Sequence, residues 1–275
     1  VSHQAYEASR LDDSETHKML SKTYPYTILI TEDDDEVRCF LERELSPHFK
    51  TRTAANGKDA LRVLEEEEIS LVVSDVMMPE MNGFELCRMI KSQLPFSHIP
   101  VILLTALTDE RQRIFGITGG ADDYIQKPFH TDYVKIKIIH LLQERQKLRE
   151  RLLEKLRDNK LLLSEPEKVE SIDDAFLRKF AEQIEAVYAD PEYNVEKLSE
   201  TLGLSRGHLH RKIKELTGTA PVEFLRTYRL NKATQLLRQN AYTVSEVAYR
   251  TGFSSPAYFS KCFKAVYGVT PTEYQ

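Results

Sequence analysis

No apolar run in this chain approaches the roughly 20 residues that span a bilayer, so no part of it is expected to contact a membrane. A secretory signal is also missing: residues 1–22 are polar and lack a hydrophobic stretch. Cysteine is scarce. Cys39, Cys87 and Cys262 stand far apart within apolar patterns, and no CxxC or Cys/His ligand spacing occurs, which excludes a zinc centre of the usual kinds. They read as reduced core thiols of a cytoplasmic protein. The chain opens on Val1 rather than Met, and the expectation is a segment of a longer protein or a processed form.

What is present is uneven. The 275 residues suffice for two ordinary domains, and 41% hydrophobic with 29% charged residues is a globular composition. The net charge of −5 hides a division. Residues 24–145 hold 14 Lys+Arg against 21 Asp+Glu, whereas 205–275 hold 11 against 4. An acidic part joined to a basic one suggests two jobs, with the basic part meeting a polyanion.

Residues 1–23 read as a tail or linker. From Thr27, short apolar runs of strand type (27–31, about 50–54, 70–74, 100–104, 123–126) alternate with helical patterns (35–46, 57–67, 83–92, 109–118 and 131 onward). Five strands alternating with five helices predict an α/β doubly wound five-stranded parallel sheet covered on both faces. The nearly all-apolar runs SLVVS and PVILL fit strands buried on both sides. The helix from 131 continues through a leucine-rich, charged stretch to about 163, either a short coiled coil or a solvated connector. SEPEKVE, 164–170, marks a boundary. From Asp173 the pattern is all helical. The expected domains are therefore 1–23 (tail), 24–144, 145–170 (helical linker) and 171–275.

In an open parallel sheet, ligands bind beyond the carboxyl ends of the strands where strand order reverses. Glu32 and Asp33 follow strand one, Asp75 strand three, Thr105 strand four and Lys127 strand five. In the order 2-1-3-4-5, Asp33 and Asp75 converge. Three carboxylates in one pocket call for a cation, and an all-oxygen donor set suits Mg²⁺. An ionised Asp can attack phosphorus, with a hydroxyl and an ammonium steadying the phosphoryl oxygens: Asp75, Thr105 and Lys127 supply these groups. Asp34 and Asp35 read instead as first-turn acids of a helix. Asp122 and Asp123 read as surface or turn residues, and the acidic run 65–68 as a solvated helix end.

The four motifs ILITEDD, LVVSDVMMPEMNGFEL, PVILLTA and GADDYIQKPF, in this order, resemble a response-regulator receiver domain over about 24–144. The resemblance implies a flavodoxin-like fold in which Asp75 accepts a phosphoryl group from a histidine kinase. It implies a Mg²⁺ site of Glu32, Asp33, Asp75 and the Met77 backbone carbonyl, with Asp33 the direct acidic ligand. Thr105 and Tyr124 match a switch pair, Lys127 precedes a cis Pro128, and Pro79 and Gly83 match the loop and helix start after the nucleophile.

Residues 195–224 repeat at 244–274. Val195/Val244, Leu198/Val247 and Gly203/Gly252 pair at an offset of 49. Ser205/Ser255, Leu209/Phe259, Ile213/Phe263 and Leu216/Val266 pair at 50, so the second copy has one extra residue in its turn. Each copy fits a helix-turn-helix with its turn Gly and a Ser cap on the second helix. That second helix would bury Leu209, Ile213 and Leu216, or Phe259, Phe263 and Val266. Its polar face would carry Arg206, His210, Arg211 and Lys214, or Ser260, Lys261 and Lys264, suited to a DNA major groove. The stretch 221–239 reads as one long amphipathic helix between the copies. The arrangement resembles the AraC-type DNA-binding domain over 171–275. By that resemblance His210, Arg211 and Lys261 contact bases, and Lys214, Lys264, Arg226 and Arg229 meet phosphate or solvent. Gly207 departs from it, because the family often carries a longer DNA-contacting side chain there.

A receiver followed by an AraC-type domain also resembles the C-terminal part of a hybrid two-component sensor. The expectation is a cytoplasmic transcription regulator, or the cytoplasmic part of a membrane-anchored sensor, that binds double-stranded DNA and forms a homodimer when phosphorylated. Two other classes compete. A Mg²⁺-dependent phosphatase of the haloacid-dehalogenase type would carry a second Asp two residues after the nucleophile, where Met77 stands. A binding module without DNA would show no salt-dependent affinity for duplex.

Overall fold

A computed structural model describes residues 18–106, 120–157 (backbone alone from 151) and 171–275. The expected helix 109–118, the leucines at 161–163 and the boundary 164–170 lie outside the described residues. The chain falls into two compact units, Val1–Lys147 and Leu148–Gln275.

The first unit is a sheet of five parallel strands: β1 (Thr27–Thr31), β2 (Lys50–Ala54), β3 (Leu71–Asp75), β4 (Val101–Thr105) and β5 (Asp123–Gln126). Their order is β2-β1-β3-β4-β5, as the alternation of elements predicts. Side chains alternate across the sheet, and this divides the core. Ile28, Ile30, Val73, Ile102 and Leu104 face one side, under α1 (Asp35–Leu45) and the start of α4 (Thr131–Arg157). Leu29, Val72, Val101 and Leu103 face the other, under α2 (Gly57–Glu66) and α3 (Gly83–Ser92). Each fully buried side chain of this kind contributes about 1.5–3 kcal/mol, so the central strands form a stiff base. Asp75 and Thr105 are the last residues of β3 and β4, so each strand ends one position later than the apolar runs suggested. α4 runs unbroken past residue 144 to Arg157, across the expected boundary.

Helix starts are set by local chemistry. The Asp34 carboxylate accepts from the Glu36 and Val37 amides, and Asn82 with Glu85 forms a capping box on α3. Gly83 begins α3 because nothing larger fits: a Cβ there would lie 2.1 Å from the Asp75 carbonyl oxygen.

The second unit is helical: α5 (Ile172–Val187), α6 (Val195–Leu202), α7 (Arg206–Thr217), α8 (Pro221–Arg238), α9 (Val244–Arg250), α10 (Pro256–Tyr267) and a last turn, α11 (Pro271–Tyr274). α6–α7 and α9–α10 are the two repeats, and α8 is the long helix expected between them. Ser205 and Ser255 cap α7 and α10 as the sequence suggests. Gly252 has φ +78°, and a Cβ on it would meet the Tyr188 carbonyl at 2.1 Å, so the second turn is closed against the end of α5. Leu209, Ile213, Phe259 and Phe263 are fully buried, as their pattern predicts. Val266 is not: it is half exposed. Tyr267 takes the inward place, its ring 4.6 Å from that of Phe263 and its hydroxyl donating to Asn231. Among the described residues no helix is long and apolar enough to cross a membrane.

Gly83→Ala is expected to destabilise the first unit by about 1–3 kcal/mol, the usual cost of forcing atoms into a filled space. Chemical denaturation of the full chain checks this; an unchanged midpoint would mean that the close approach to Asp75 is relaxed in solution.

Candidate functional site

β1 and β3 are neighbours in register, Thr31 beside Ser74, so the residues leaving their carboxyl ends meet. Glu32 and Asp75 are nearly buried and Asp33 is exposed. One carboxylate oxygen from each lies within 4.8 Å of the others. Lys127, brought in beside Thr105 by its backbone N–H to the Thr105 carbonyl (2.7 Å), reaches both buried acids. Its ammonium is 2.8 Å from Glu32 and 2.6 Å from Asp75 Oδ1. The other Asp75 oxygen accepts the Met77 backbone N–H at 2.7 Å. The Lys127–Pro128 peptide is cis.

Burial raises the Glu32 carboxyl above its ordinary range, and the charges of Asp75 and Asp33 add to this against the pull of Lys127. Burial alone would lower the Lys127 ammonium, but its bonds to Asp75 and Glu32 outweigh that and hold it above its usual value. The donor set is oxygen throughout and carries more negative charge than one lysine offsets. Such a set fits a hard divalent cation such as Mg²⁺.

Thr105 and Tyr124 fall on one sheet face: Tyr124 pairs with Leu103, two residues before Thr105, and packs on the cluster of Leu29 and Leu103. Burial pushes the Tyr124 phenol up to about 12, so it is neutral at every physiological pH. Asp34 caps α1 and Asp35 pairs with Arg38, consistent with first-turn acids. Asp122 does more than the turn residue expected of it. Its Oδ2 accepts from the Val101 amide (2.8 Å) and the Lys91 ammonium (2.6 Å), tying β4 and α3 to the start of β5. A sequence offers no signal for such a distant partner.

In the second unit, Arg206, His210, Lys214, Lys261 and Lys264 are exposed, and Arg211 and Ser260 are partly so. They lie on α7 and α10 opposite the buried apolar residues. Arg206 also reaches Glu196 at 3.0 Å. Arg229 departs from expectation. Its guanidinium donates to the carbonyls of Tyr188 (2.7 Å) and Asp190 (2.6 Å) at the end of α5, so it closes a helix terminus instead of meeting phosphate. Arg226 stands beside Glu223 (3.1 Å), and its hydrogen bond to Tyr258 raises its basicity. Lys212, which periodicity alone did not single out, is wholly buried and pairs with Asp173 at 2.5 Å over the Phe176 ring.

The sequence profile of the response regulator receiver domain matches residues 28–139, and that of a helix-turn-helix domain matches 198–275. Over 265 residues the chain is 37% identical to Histidine kinase P4 of Formosa agariphila, covering 96% of this chain and 19% of that protein. It is 43% identical over 121 residues to the transcriptional regulatory protein GltR of Pseudomonas aeruginosa, covering 44% of this chain and 50% of that one. Among solved structures, the signal receiver domain of a signal transduction histidine kinase from Syntrophus aciditrophicus is 38% identical, with TM-score 0.42, covering 43% of this chain and 91% of that one. The chain thus spans about a fifth and about half of the two curated relatives.

A carboxyl whose folded pKa is raised weakens the fold as pH rises through that value, because the unfolded chain ionises more readily. Without divalent cation, the chain should therefore gain stability as pH falls from 7 into the range just above ordinary glutamate. Glu32→Gln should lose much of that slope and melt a few degrees higher at pH 7 in chelator. A variant that melts lower at every pH would show that the Lys127 bond outweighs the burial of Glu32.

Proposed function

From a chain that joins a response regulator receiver domain to an AraC-type helix-turn-helix domain, we propose a DNA-binding transcription regulator of a two-component system, controlled by phosphorylation of Asp75. The observation that carries this reading is the pairing of one lysine with two buried acids beside a third: Lys127 within 2.8 Å of both Glu32 and Asp75, with Asp33 at the mouth.

A phosphohistidine of a histidine kinase is the donor. An Asp75 carboxylate oxygen attacks phosphorus, the P–N bond breaks, and the leaving imidazole takes up a proton. The Asp75 oxygen to Lys127 and the amide of Met77 fix the carboxylate in place for this attack. The Lys127 ammonium and the Thr105 hydroxyl receive the phosphoryl oxygens. Glu32, Asp33, Asp75 and the Met77 carbonyl would hold Mg²⁺, which supplies positive charge against the developing phosphoryl charge when bound. Thr105 and Tyr124, on one sheet face, form the switch: the hydroxyl turns to the phosphoryl group and the ring follows inward. The reading includes no turnover of an outside substrate. Two residues after Asp75, where an aspartate phosphatase carries its general acid, stands Met77, which has no proton to give.

Phosphorylation shifts a population between existing states and favours a homodimer, which sets two DNA-binding units on repeated sites. Arg206, His210, Arg211 and Lys214 of α7, with Ser260, Lys261 and Lys264 of α10, face duplex DNA. His210, Arg211 and Lys261 read bases. The likeness of this chain, over nearly its whole length, to part of a far longer histidine kinase supports an origin in a hybrid sensor, with this segment on the cytoplasmic side.

Two experiments test the reading. Acetyl phosphate with Mg²⁺ should add one phosphate to the wild type and none to Asp75→Ala, read by intact-protein mass; repeated release of phosphate from esters would favour a phosphatase. Duplex binding should fall steeply with salt, and Arg211→Ala should weaken a selected site by about 1–3 kcal/mol and random DNA less. Equal losses on both would reduce Arg211 to a backbone contact.

A further inference from the structure

The metal acids Glu32 and Asp33 sit in a three-residue connection between β1 and α1, and one guanidinium holds it. Arg38, on the first turns of α1, reaches back over the loop. Its Nη1 donates to the Glu32 carbonyl at 2.7 Å and to the Asp33 carbonyl at 3.3 Å, and its Nη2 pairs with Asp35. Its backbone N–H is fixed to the Asp34 carbonyl at 2.8 Å. The arginine side chain is only 18% exposed although Asp35 is 82% exposed, so the stem lies against the protein and the head is not a loose surface charge.

The geometry points to Arg38 as a positioning residue for the cation site, a role that rests on the receiver reading above. Both carbonyls it grips belong to residues whose carboxylates form the acid group. A single donor nitrogen shared by adjacent carbonyls fixes the direction in which each residue leaves the strand, and with it where the two side chains point. The same charge offsets part of the repulsion among Glu32, Asp33 and Asp75 before a cation arrives. A loop so held needs little ordering on binding, and that preorganisation appears as affinity. A Lys in its place would keep the charge but lose the planar fork that spans carbonyls and carboxylate together.

Titration of Mg²⁺ into the full chain by calorimetry, with melting measured in chelator, tests the role. Arg38→Gln should weaken Mg²⁺ binding roughly tenfold, at the lower end of what outer partners of a metal site usually cost, while its melting temperature in chelator stays close to the wild type. Arg38→Lys should fall between the two. Asp35→Asn, which removes the ion pair but leaves both carbonyl bonds, should bind Mg²⁺ like the wild type. Unchanged affinity in Arg38→Gln overturns the role, and so does an equal loss in Asp35→Asn, which would reduce Arg38 to one half of a helix ion pair. A wild type that takes up no Mg²⁺ would overturn the receiver reading itself, and the role of Arg38 with it.

Discussion

Everything in the first unit answers to the crowding of like charge at the mouth of its sheet. Glu32 and Asp75 are withdrawn from water at the ends of adjacent strands, with Asp33 beside them. Burial and the neighbouring carboxylates disfavour ionisation of Glu32, yet the phosphorylation proposed above calls for a carboxylate at Asp75. Lys127 resolves part of this by bonding both buried acids at once. The rest of the charge suits the divalent cation proposed for this site. Such an arrangement is costly unless the backbone beneath it is fixed, and the fully buried β3, flanked by the almost wholly buried β1 and β4, supplies that fixity. The same demand explains Gly83, where the helix after Asp75 starts in contact with the Asp75 carbonyl and leaves no room for a methyl group.

Much of this was legible from the chain because its signals are local or follow from topology. Apolar runs gave the strands to within a residue. The alternation of strands and helices gave the doubly wound sheet, and the order 2-1-3-4-5 brought Asp33 towards Asp75 without any knowledge of side-chain geometry. The illegible part has one physical character: long charged side chains whose partners lie far along the sequence. Arg229, read as meeting phosphate or solvent, instead closes the end of a helix some 40 positions earlier, a separation the hydrogen bonds record as 41 and 39 residues. Asp122 binds the Val101 amide and Lys91. Lys212 sits on a helix whose other lysine, Lys214, is exposed, and only the position of Asp173 and Phe176 decides that it is buried. Val266 fails for a different reason. Positions 266 and 267 straddle the inward face of α10, and the larger ring of Tyr267 takes it.

The two helix-turn-helix copies are alike in pattern and unlike in how they are held. The first rests on a buried ion pair, Lys212 with Asp173, and on the edge-to-face contact of Phe180 with Phe224. The second is packed by rings, Phe253, Phe259, Phe263, Tyr267 and Tyr274 in mutual contact. A buried ion pair adds little net stability but strongly penalises arrangements that separate its charges. The orientation of α7 is thereby tied to α5, which lies outside the 198–275 match to the helix-turn-helix profile. The DNA-binding unit therefore depends on a helix that the two repeats do not contain.

Charge also limits how phosphorylation can act. The acidic residues 24–145 already carry seven more negative than positive charges, and the basic residues 205–275 the reverse. On the proposed reading, phosphoryl transfer to Asp75 would make the acidic part more negative, since a phosphate group carries about two charges where the carboxylate carried one. Its direct effect on a polyanion is repulsion, weakened beyond a Debye length of about 8 Å at physiological salt. A rise in DNA affinity on phosphorylation therefore cannot come from the added charge. It has to come from a change in assembly or in the freedom of the basic unit, large enough to exceed the opposing electrostatic contribution. Binding two linked units to repeated sites is of that size, because the second contact forms at the high effective concentration set by the first.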